Sequence, residues 1–145
     1  MHHRLCRSHL KVFSTDELRL LLAGAENQSP WNREEVGRNI ILRDYSMQSS
    51  QIGYFLDVLC EFGPEERRAF LRFCTGSPRL PVGGWVSLKP KMTIARKDAS
   101  KPDEVLPSCS TCLVLVKLPQ YSSLTVMRER LLMAVREGQS FFSMD

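Results

Sequence analysis

The residue pattern predicts an α+β domain: several helices, then a small β-sheet, then a closing helix. Three observations carry this. Apolar residues recur at helical spacing as far as Phe73, and glycine and proline crowd the stretch 76–90. Beyond it, short β-rich runs at 92–95 and 112–118 precede one last amphipathic segment.

The bulk numbers agree with a folded domain. The chain has 145 residues, of which 43% are hydrophobic and 25% charged, so it can bury a core of its own. Its net charge of +4 is mild, and no basic run is interleaved with aromatic residues, which argues against a nucleic-acid partner. No segment approaches the ~18 consecutive apolar residues of a membrane span. The opening residues Met1 to Cys6 lack the apolar core of a signal peptide. Five cysteines, odd in number and irregularly spaced, do not read as a disulfide framework. A reducing compartment, cytoplasmic or nuclear, is therefore the expectation.

Taken in order, Ser14-Thr15-Asp16-Glu17 forms a capping box ahead of a leucine-rich helix that runs to about Leu22 and stops at Gly24. Residues 24–30 have linker composition. Asn32 caps a second helix that carries Val36, Ile40 and Ile41. A third helix starts at Ser49 or Ser50 and presents Ile52, Phe55, Leu56, Leu59 and Phe62 on one face. Gly63-Pro64 breaks it, and Pro64 suits the first position of a fourth helix bearing Phe70, Leu71 and Phe73. Residues 76–90 form a shaped loop, 92–95 a strand, 97–107 a polar loop and 112–118 a second strand ended by Pro119. Ser122 or Ser123 then caps a final helix with Val126, Met127, Leu131, Ala134 and Val135 on its apolar face, closed by Gly138.

Cys109 and Cys112 make a Cys-x-x-Cys pair. Zinc would need two further ligands, and all three histidines lie within the first nine residues, so no metal or other cofactor is implied. A thioredoxin-like pair opens a helix, whereas this one precedes a strand. The plain alternative is two half-buried structural thiols, since free cysteine behaves as a small hydrophobe; Cys60 and Cys74, on helical faces, read the same way. Cys112 stands apart in its setting. It follows Ser110 and Thr111 and leads into the second strand, which suits a nucleophile that must meet a large acyl donor. A thiolate is intrinsically nucleophilic, and exchange between thioesters asks for positioning more than for a strong base.

Several segments carry a family resemblance. Residues 73–85, Phe-Cys-Thr-Gly-Ser-Pro-Arg-Leu-Pro-Val-Gly-Gly-Trp, resemble the F-T-G-x-x-R-x-P-x-G-G stretch of HECT-type ubiquitin-protein ligases. Residues 106–112, Leu-Pro-Ser-Cys-Ser-Thr-Cys, resemble the family's L-P-x-x-x-T-C nucleophile loop, and 118–123, Leu-Pro-Gln-Tyr-Ser-Ser, its L-P-x-Y-S-S. Residues 87–97 and 136–141 look most like the branch containing the thyroid-receptor-interacting ligases and their plant relatives.

The resemblance implies a HECT C-lobe-like fold over 29–145, a hinge at 24–28, and the last helix of the N-lobe in 1–23. It implies that Cys112 takes ubiquitin as a thioester from a ubiquitin-conjugating enzyme and passes it to a lysine of a protein substrate. Thr111 precedes the nucleophile as in the family, and Phe142 matches a phenylalanine used in the transfer step. The alternative is a non-autonomous module that binds ubiquitin or a partner without turnover. Three departures from the family pattern stand out. Ser110 replaces a frequent His and Leu113 a frequent Phe. Asp44-Tyr45-Ser46-Met47 stands for Asp-His-Gly-Tyr, where a glycine-dependent turn is expected to differ.

Overall fold

Helix α1, Arg33–Arg38, begins as its sequence dictates: the Asn32 carboxamide oxygen accepts from the backbone N–H of Glu34 and Glu35 at 2.8 and 3.1 Å. The structure is a computed structural model that describes residues 30–144, with side chains described to 137. The capping box at Ser14, the helix it starts, the hinge at 24–28 and the histidines lie outside the described residues.

Ile40 and Ile41 do not continue α1, which corrects the sequence expectation. Asn39 ends the helix, and Ile40–Arg43 forms strand β1, parallel to strand β2, Met92–Lys97, with Ile40 beside Met92. Paired β-branched residues favour a pleated surface, and here a distant strand supplies the partner.

Helix α2, Ser50–Glu61, buries Ile52, Phe55, Leu56, Val58 and Leu59. Helix α3, Pro64–Thr75, starts on its proline. The Glu66 carboxylate accepts from the Gly63 N–H at 2.9 Å, and Gly76 closes the helix in the left-handed conformation at φ 83°. Phe70, Leu71 and Cys74 are buried, and Phe73 is half-buried.

Strand β3, Ser108–Ser110, and strand β4, Leu115–Pro119, complete a four-stranded sheet of order β1-β2-β4-β3. β4 is parallel to β2 and antiparallel to β3. Helix α4, Leu124–Met144, packs on α2 and α3 and buries Met127, Leu131, Ala134 and Val135. The Ser123 hydroxyl accepts from the Val126 N–H at 3.2 Å, which selects Ser123 as the cap. Gly138 does not end the helix as expected. The backbone runs through it to Met144, because an interior glycine costs a helix only about 1 kcal/mol. The core lies between the sheet and the helices, with Trp31, Phe70 and Trp85 in edge-to-face contact at its end. The α+β class and the C-lobe-like arrangement follow the sequence reading.

Candidate functional site

Cys112 is not at the head of a strand, as its apolar successors suggested. It sits in the turn 111–114 of the β3–β4 hairpin. The Ser-Cys-Ser of β3 has no strand signature of its own. It pairs only because Val116 stands opposite Cys109 and Leu115 opposite Ser110.

The turn is held at both ends and open in the middle. On one side Cys109 faces inward, its thiol donating to the Cys74 carbonyl at 3.4 Å. On the other, Val114 is only 4% exposed and its carbonyl accepts from the Thr93 N–H at 2.9 Å. Between them Thr111 is half-buried, Cys112 is exposed and Leu113 is 61% exposed. Val114 takes φ +49°, rare for a β-branched residue and worth about 1–3 kcal/mol of strain. Its buried side chain and bonded carbonyl hold it there.

The segment before the hairpin is braced from below. Tyr121 is fully buried, and its phenol donates to the Val105 carbonyl at 2.6 Å. Burial pushes that phenol well above the ordinary tyrosine range, so it stays a donor. The Gln51 carboxamide donates to the Tyr121 carbonyl at 3.2 Å, and the Tyr45 hydroxyl to Leu118 O at 2.7 Å. Burial pushes the Tyr45 phenol up to about 12. The Lys97 ammonium donates to the Leu106 carbonyl at 2.9 Å. Asp103 accepts from the Ser122 backbone N–H and hydroxyl at 2.9 and 2.6 Å, and these bonds hold its carboxyl below the usual range. Arg130 on α4 donates to the Asp103 carbonyl at 2.8 Å. The Leu-Pro-Gln-Tyr-Ser-Ser stretch therefore ties the loop ahead of Cys112 to the start of α4. The motif was visible in the sequence, but its hydrogen-bond partners, Val105 and Asp103, were not.

The departures resolve in part. Ser46, at the position of the expected glycine, needs no left-handed backbone; Asp44 supplies φ +62° instead. Ser46 closes its turn by donating its N–H to the Ser49 hydroxyl at 2.9 Å, while its own hydroxyl accepts from the Gln48 N–H at 3.2 Å. Ser110 and Leu113 are exposed beside Cys112. The structure thus brings Thr111 and Cys112 together. Phe142 falls on α4, and its side chain lies outside the described residues.

An exposed thiol on a turn anchored at both ends can meet a bulky electrophile without moving the fold. The comparisons with known proteins bear on what that electrophile is. The HECT-domain (ubiquitin-transferase) family matches residues 1–144. The chain is 43% identical to the E3 ubiquitin-protein ligase TRIP12 of Danio rerio, over 92% of this chain and 7% of that protein. It is 44% identical to the E3 ubiquitin-protein ligase UPL4 of Arabidopsis thaliana, over 92% of this chain and 9% of the relative. It is 39% identical to ubiquitin fusion degradation protein 4 of Saccharomyces cerevisiae, over 91% of this chain and 10% of the relative. The chain thus spans a tenth or less of each of these proteins.

Proposed function

Because the chain belongs to the HECT-domain (ubiquitin-transferase) family, we propose that Cys112 accepts ubiquitin as a thioester and passes it to a lysine. The observation that carries this reading is the exposed Cys112 thiol, set between the inward-facing Cys109 and the buried Val114.

In the first step the Cys112 sulfur, as thiolate, attacks the carbonyl carbon of ubiquitin's C-terminal glycine, held as a thioester on a conjugating enzyme. The tetrahedral intermediate collapses, the carbon–sulfur bond to the donor cysteine breaks, and that thiolate leaves with the electron pair. One thioester replaces another, so the step is nearly isoenergetic and depends on approach and orientation. In the second step a lysine amine attacks the same carbon and the Cys112 thiolate leaves. The amine proton is lost, and an isopeptide bond remains.

The braced hairpin supports the reading by limiting what must be ordered when two large proteins meet. Thr111 enters as the half-buried residue that precedes the nucleophile in the turn. Phe142 enters as an apolar anchor for the second step.

The test is incubation with ubiquitin-charged conjugating enzyme, followed by non-reducing electrophoresis. A reductant-sensitive ubiquitin adduct is expected with the parent chain and with Cys109→Ala, and none with Cys112→Ala. An adduct that survives Cys112→Ala and disappears with Cys109→Ala would assign the chemistry to the other sulfur.

A further inference from the structure

A cavity of about 440 Å³ lies between helix α1, helix α3 and the loop 78–84, and none of residues 109–114 lines it. Ligand sites in proteins typically span ~300–1,000 Å³. The buried side chains of Trp31, Leu71 and Trp85 give the cavity apolar walls. Arg68 and Arg79 also line it. Both are exposed, and among the described residues neither has a carboxylate partner. The half-buried Glu35 is the one carboxylate in the lining among those residues, so positive charge prevails. Val82, on the loop, is 97% exposed and holds its isopropyl group out to solvent. The indole N–H of Trp85 is buried without a hydrogen-bond acceptor among the described residues, and an unpaired buried donor is costly. The loop is already shaped: Gly83 and Gly84 take φ +100° and +80°, and the Gly84 N–H donates to the Pro81 carbonyl at 2.9 Å.

We infer that this cavity binds a peptide segment of a partner protein in which an apolar side chain of leucine size is flanked by acidic residues. The apolar side chain seats against Trp31 and Leu71, with Val82 at its edge. The flanking carboxylates pair with Arg68 and Arg79, whose planar guanidinium groups match a carboxylate with two parallel hydrogen bonds. A peptide also brings backbone carbonyls, the acceptor type that the Trp85 N–H lacks. Charge alone would suit any open cationic surface, and apolar walls alone any hydrophobe. The two features together ask for a ligand that carries both. The loop 81–84 is in place beforehand, so little ordering opposes binding. The site shares no residue with the hairpin turn, so a partner held here leaves Cys112 free to react.

The chain has two tryptophans, Trp31 and Trp85, and both line this cavity, so indole emission reports on it directly. The full chain is titrated with the acetylated, amidated peptide Glu-Asp-Leu-Asp-Glu, which carries no indole. A saturable change in emission is expected, with binding that weakens as salt is raised. Arg68→Glu combined with Arg79→Glu should raise Kd by about tenfold or more at an unchanged melting temperature, since both side chains are exposed. Arg68→Gln with Arg79→Gln should give a smaller loss in the same direction, and serves if the charge reversal disturbs folding. Peptides with lysine in place of the acids, or glycine in place of leucine, should bind more weakly than the parent peptide. No saturable change, equal affinity for the lysine peptide, or a Kd left unmoved by the glutamine pair would each overturn the proposal. Equal binding of the glycine peptide would reduce the cavity to an anion trap and overturn it too. The readout involves no ubiquitin, so it stands or falls separately from the role of Cys112.

Discussion

The buried phenol of Tyr121 donates a 2.6 Å hydrogen bond to the carbonyl of Val105, and so ties the loop that leads into the candidate site to the segment that follows β4. Replacing Tyr121 by Phe keeps the ring and removes the donor. Stability should fall by about 1–3 kcal/mol, the range for stranding a buried polar partner. Ubiquitin loading should slow as the loop loosens. Chemical denaturation and an adduct time course on the same variant check both. Unchanged values in each would mean the bond holds nothing in place.

Val114 at φ +49° reverses a familiar order of substitutions. At most sites glycine is worse than alanine by about 0.5–1 kcal/mol. Here both variants lose the buried isopropyl group, but only glycine relieves the left-handed strain, worth roughly 1–2 kcal/mol. Val114→Gly should therefore be more stable than Val114→Ala by about 1 kcal/mol. Parallel denaturant melts decide it, and alanine coming out the more stable would show that the turn carries no strain.

Asp103 gives the loop a dependence on acid. The two Ser122 bonds lower its folded pKa below the ordinary 3.8, so the stabilisation is present above that value and is lost as pH falls through the folded one. Asp103→Asn cannot ionise. The parent should exceed this variant in stability at neutral pH, and the gap should close in the acid range below pH 3.8. Melting curves across that window test the sign; a gap that widens in acid would contradict it.

Phe142 should separate the two steps of the proposed reaction. It supplies neither charge nor proton, so Phe142→Ala should form the Cys112 adduct at close to the parent rate. Discharge to a protein lysine should slow, because an apolar anchor orients the loaded lobe against its acceptor. If the ring only packs in the core, stability should drop by about 3–5 kcal/mol and both steps should fail together. Loading rate, discharge rate and a melting curve on one variant distinguish these.

Local signals in the chain were readable because their partners are neighbours. Asn32 caps the residues that follow it, Pro64 opens α3, and the spacing of Ile52, Phe55, Leu56 and Leu59 describes a single helix face. A contiguous motif likewise singles out Cys112, though not its place in a turn. What escaped the sequence depends on distant groups. Ile40 becomes strand because Met92 lies beside it, and Ser108 to Ser110 because β4 does. The apolar run after Cys112 looked like continuous strand, since nothing local reveals that Val114 turns left-handed before Leu115 begins the ladder. Gly138 is a stop signal by residue type alone, and α4 runs through it.

The exposed positions 112 and 113, set between anchored neighbours, make the reactive group separable from the architecture. The mount is specified by Cys109, Val114, Thr93 and Tyr121, none of which has to react with anything. What it carries is specified by one outward side chain whose replacement disturbs no packing. Serine, selenocysteine or an unnatural electrophile placed at 112 would inherit the same rigid presentation, so this hairpin is a ready platform for trapping whatever protein approaches it.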